Sequence, residues 1–134
     1  MKQSKLSQVF LFTAAITLLA VPAFAEKIGV IFEGNETLQK SVSEAMKTDG
    51  HEIIDISAAA TGVKLDAVAA AEIGKKTGAQ IIVSGKKVGP FLILKLLSTK
   101  NDVVAGGAST SEESDAVVEQ VKTILKKNKD KMLQ

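Results

Sequence analysis

The chain has 134 residues, no Cys, no Trp and no Tyr, and 17 basic against 15 acidic residues, for a net charge of +2. Without cysteine there is neither a disulfide staple nor a lipid-modified amino terminus. Every basic residue is a lysine, so the near-balanced charge and the missing guanidinium fork argue against a nucleic-acid binder.

Residues 1–25 follow the three-part pattern of a secretory signal peptide. Lys2 and Lys5 open it, residues 9–21 form an apolar run broken only by Thr13 and Thr17, and Pro22 precedes Ala23-Phe24-Ala25. The run is shorter than the ~20 residues a membrane span needs. The pattern predicts a cut between Ala25 and Glu26, with the product free in the periplasm rather than held in the membrane. Lys2 and Lys5 also carry the whole charge excess, so residues 26–134 are formally neutral. Phe10, Phe12 and Phe24 leave with the leader. Only Phe32 and Phe91 remain as aromatics, which is poor material for stacking sugars or bases.

The remainder reads as a single domain over 26–127 with a lysine-rich tail over 128–134. Residues 27–32 (KIGVIF) are a short, β-branched, buried strand. Asn35 is placed to cap a helix over 36–48, with Leu38, Val42, Ala45 and Met46 on its inner face and Gly50 closing it. A second strand is expected over 52–56 and a loop over 57–62. A second helix is expected over 64–77, with Leu65, Val68, Ala69 and Ile73 inward and Gly78 as its stop. A third strand follows over 80–85. Strand, helix, strand, helix, strand implies parallel pairing through crossovers.

The rhythm then changes. Residues 91–98 (FLILKLLS) and 103–109 (VVAGGAS) are strands separated by turns too short for crossovers, so they form an antiparallel meander. In 91–98 only Lys95 and Ser98 interrupt the apolar residues, which predicts a central strand. Ser111 or Ser114 is expected to cap a last helix whose inner face is Val117, Val118, Val121, Ile124 and Leu125. The lysines after Leu125 are expected to fray into solvent. The fold class is therefore α/β: a βαβαβββα mixed sheet of three parallel strands followed by an antiparallel meander, with helices packed on it.

Few residues carry a signal for chemistry. His51 is the only histidine, so no second histidine or cysteine can complete a transition-metal site, and no metal or cofactor is expected. No Gly-x-Ser-x-Gly elbow supports a serine nucleophile. The exits of the first two strands, where α/β proteins often bind ligands, gather Glu33, Asn35, Asp55 and Ser57. Glu33 and Glu36 also suit an acidic first helical turn, and Asn35-Glu36-Thr37 matches a glycosylation sequon that an N-cap explains as well.

The stretch Ala71-Glu72-Ile73-Gly74-Lys75-Lys76-Thr77-Gly78-Ala79-Gln80-Ile81-Ile82-Val83-Ser84-Gly85, followed by the apolar strand to Ser98, resembles a pattern of bacterial envelope proteins. It is similar to the amino-terminal domain of TolB of the Tol system. It is also similar to the periplasmic cores of curli secretion lipoproteins and penicillin-binding-protein activator lipoproteins. The resemblance covers residues 27–127 in element order and is carried residue by residue over 71–98. It implies contact with envelope proteins rather than catalysis, and it offers no catalytic residues to carry over. The chain departs from those proteins in having no lipobox cysteine and no propeller. Two further readings stand beside the adaptor: a small-molecule binder or hydrolase at Glu33, Asn35 and Asp55, and a homo-oligomer joined through 91–98.

Overall fold

The computed structural model describes residues 25–134; the predicted leader, residues 1–24, lies outside the described residues. Among the described residues, five strands and four helices follow one another in the order β1 (Lys27–Phe32), α1 (Glu36–Thr48), β2 (Glu52–Ile54), α2 (Ser57–Ala60), α3 (Ala67–Thr77), β3 (Ile81–Val88), β4 (Phe91–Ser98), β5 (Val104–Ser109) and α4 (Ser114–Met132). They build one mixed sheet in the order β2-β1-β3-β4-β5. β1 pairs in parallel with β2 and β3, and β3-β4-β5 is an antiparallel meander. The α/β class and the switch from parallel to antiparallel pairing are as the residue pattern predicts, and β4 lies between β3 and β5 as its apolar run requires.

Period-2 alternation divides the sheet into two unequal faces. On one, Ile28, Val30, Phe32, Ile81, Val83, Leu92, Leu94 and Leu96 meet α1 through Leu38, Val42 and Met46, and α4 through Val117, Val121, Leu125 and Met132. This is the main core. The other face is thinner: Ile82 and Leu97 meet Ile56, Ala60, Ala70 and Ile73 from α2, α3 and the residue before α2. Small side chains bring these helices close. Gly29 leaves room for Ile56, and Gly74 leaves room for Thr99 at the turn after β4.

Local chemistry sets the boundaries. The Asn35 side chain accepts from the Leu38 N–H at 3.0 Å, so α1 begins at Glu36 as its cap predicts. β2 is shorter than the predicted 52–56. The Asp55 carboxylate accepts from the Ser57 N–H at 3.0 Å and turns the chain, which makes a one-turn helix of residues expected to be loop. The helix predicted from Lys64 starts at Ala67 instead, because Asp66 caps it through the Ala69 N–H at 2.8 Å. That start turns Ala70 and Ile73 inward and leaves Val68, expected inside, 75% exposed.

β3 runs on to Val88, because Lys86 and Lys87 pair with Ile93 and Leu92. Neither predicted serine caps α4. Glu113 holds the cap position without a side-chain bond, Ser111 accepts from the Glu113 N–H, and Ser114 accepts from Ser41. The lysines after Leu125 do not fray: α4 continues to Met132, which is fully buried.

Candidate binding cleft and open sheet face

The parallel strands β1 and β3 exit at the same end of the sheet. There, on the thinner face, the segment between α2 and α3 stands off the strands and leaves a half-open cleft of about 430 Å³. Ile31, Ser84 and Ile93 form its floor, while Gly62, Val63 and Leu65 form its wall. Gly62 takes a φ of 77°, a left-handed turn that carries the chain away from α2.

Three lysines and one carboxylate line the same space: Lys64, Lys86, Lys95 and Glu33. Glu33 and Lys86 approach to 4.0 Å with both side chains more than half exposed, so water screens the pair. Lys95 differs. It rises from a central strand between Ile93 and Leu97, is half-buried, and its ammonium donates to the Leu65 carbonyl at 3.1 Å. None of the ion pairs among the described residues includes it. The Ser84 hydroxyl is engaged, donating to the Lys95 carbonyl at 3.0 Å.

Of the groups predicted at the strand exits, Glu33 lines the cleft and the others do not. Asn35 caps α1, and Asp55 with Ser57 forms the turn into α2. His51 lies at the opposite end of the parallel strands, before β2. Its Nδ1 is 3.0 Å from the carboxylate of Glu26, which Lys129 also approaches at 3.5 Å. Glu26, the residue after the predicted cut, is bound into the sheet as well, since its carbonyl accepts from the Glu52 N–H at 2.9 Å.

The hydrogen bond from the Ser57 N–H, and then that from its hydroxyl, hold the Asp55 carboxyl below the ordinary aspartate range. At the far end of the meander, the Lys87 ammonium lowers the Glu112 carboxyl, first by its hydrogen bond and then by its charge. A carboxyl whose pKa is depressed by folding adds stability that is full above its unfolded value, about pH 4. That stability is lost as pH falls through the lowered folded value. Carboxyl-carbon NMR titration should therefore place both midpoints below those of the acid-unfolded chain. Asp55→Asn should flatten the acid limb of stability below about pH 4. A limb of unchanged steepness would remove Asp55 as a contributor.

From Val88 at the border of the cleft outward, the same sheet face is open. Val88, Phe91 and Val104 are 54%, 43% and 47% exposed. Gly106 and Ala108 of β5 are exposed beside them. β5 is also an edge strand, and its sequence VAGGAS carries no charge and no proline to discourage further pairing.

The sequence pattern missed the cleft wall because it assigns Lys64 and Leu65 to a helix. The signal was Lys95, a lone charge at a central-strand position with apolar neighbours of the same parity. No described helix is long and apolar enough to cross a membrane. Compared with known proteins, the chain matches no family model, no curated protein and no solved structure.

Proposed function

We propose that this chain is an exported adaptor or assembly module of the bacterial cell envelope, acting in the periplasm by contact with other envelope proteins. The observation that carries the reading is the open face of β3–β5, which exposes Val88 and Phe91 at one end of the meander and Val104 at the other, beside an unprotected edge strand. The leader pattern of residues 1–25 supports the address. The likeness of residues 71–98 to TolB-type and activator-lipoprotein domains supports contact as the mode of action.

A photo-crosslinking amino acid placed at Phe91 or at Val104 in intact cells tests this directly. Irradiation should give discrete adducts with envelope proteins from both positions, and none from Thr48 on α1, on the other side of the sheet. No adduct at Phe91 or Val104, or equal labelling at all three positions, rejects the adaptor. An adduct of twice the chain mass assigns the face to a second copy instead, a reading that the bare β5 edge favours.

A further inference from the structure

We propose that the cleft beneath the α2–α3 segment is a binding site for a small aliphatic monocarboxylate, with Lys95 holding its carboxylate. This site adjoins the open face, with Val88 on the border of both, and its test does not depend on a protein partner there.

The charge points to an anion. An ammonium carries three donors. Among the described residues, the Lys95 Nζ meets one acceptor, the Leu65 carbonyl. It is half-buried and has no carboxylate partner, in a cleft where Lys64 and Lys86 add positive charge. The sole lining carboxylate, Glu33, lies by Lys86. A partly desolvated ammonium without a counter-charge is unfavourable, and an arriving carboxylate corrects that with a charge-assisted hydrogen bond.

The count of charges points to a monoanion. Only Lys95 is withdrawn from solvent, whereas Lys64 and Lys86 are exposed. The Leu65 carbonyl oxygen and Glu33 both oppose a second negative charge.

The walls specify the rest of the ligand. Ile31, Ile93, Val63 and Leu65 offer aliphatic surface, and the Ser84 hydroxyl already donates within the sheet. A ligand that suits them has an apolar chain and few other polar groups. A volume of about 430 Å³ is in the range of small-molecule sites.

Titration of the purified protein with sodium octanoate, followed by amide NMR, tests the site. Saturable shifts should concentrate at Leu65, Ser84, Ile93 and Lys95. Octylammonium should not reproduce them, and acetate should require at least roughly tenfold more ligand because it lacks the chain. Lys95→Gln should weaken octanoate by roughly tenfold or more, and Lys95→Arg should retain most of the affinity. Val63→Glu alters an exposed wall position and tests the cleft even if the Lys95 variants do not fold. It should also weaken octanoate, by repulsion.

The proposal is overturned by octanoate that leaves the cleft amides unmoved, by octylammonium binding equally well, or by a folded Lys95→Gln with unchanged affinity. Unchanged affinity in Val63→Glu overturns it as well.

Discussion

Phe32→Ala should destabilise the domain by about 3–5 kcal/mol, the range for emptying a packed phenylalanine site. Phe32 ends β1, is 3% exposed, and belongs to the cluster that joins β1, β3 and β4 to α1 and α4. Its ring lies against Gly85, the residue paired with it across β1 and β3. A Cβ built on Gly85 would overlap that ring. Gly85→Ala should therefore cost about 1–3 kcal/mol through overpacking rather than through lost contacts. The two changes compete for one space. The Gly85→Ala cost should shrink when Phe32 is first changed to Leu, giving a coupling within about 0.5–3 kcal/mol. Urea unfolding of the four proteins, with midpoints compared at constant slope, measures this. Simple additivity would show that ring and Cβ do not share the space. The contact also bears on the cleft, because Gly85 and its neighbour Ser84 line it.

Where one physical rule governs a segment, its structure was legible in the residues. β1 is a short, β-branched run buried almost throughout, α1 has a 3.6-residue spacing and an asparagine cap, and both end where those patterns end. β4 reads as a central strand because both of its faces are largely apolar, which also fixes the meander. The segment from Asp55 to Asp66 was not legible in the same way. Its alanines and glycine fit a loop, a short helix or the start of a longer one. The choice is made by two aspartate side chains that bond the N–H groups of Ser57 and Ala69. The cleft inherits that ambiguity, since its wall is this segment. Glu33 was legible from its place at a parallel-strand exit, whereas Lys95 shows in the sequence only as a lone charge in a central strand, and its role depends on Leu65 crossing over it.

The end of α4 carries the other large expected effect. Met132→Ala should cost about 2–5 kcal/mol, although the seven residues before it include four lysines and suggest a solvated tail. Met132 comes one heptad, or two helical turns, after Leu125, so it continues the buried stripe of Val117, Val121 and Leu125. The lysines occupy the outer positions. A second contact locks this end. The Ser98 hydroxyl, 1% exposed, donates to the Met132 carbonyl at 2.6 Å and accepts from the N–H groups of Lys100 and Asn101 at 3.1 and 3.2 Å. Ser98→Ala strands those groups and should cost about 1–3 kcal/mol. Because the hydroxyl binds the Met132 backbone and not its side chain, the double variant separates two outcomes. If the helix stays docked without the methionine side chain, the two costs add. If Met132→Ala releases the last turn, the Met132 carbonyl is already in solvent and Ser98→Ala costs less in that background. Hydrogen exchange at the amides of Met132 and Leu133 reports which occurs. Fast exchange at these amides in the unmodified protein, or an unchanged urea midpoint in Met132→Ala, would return residues 128–134 to a solvated tail.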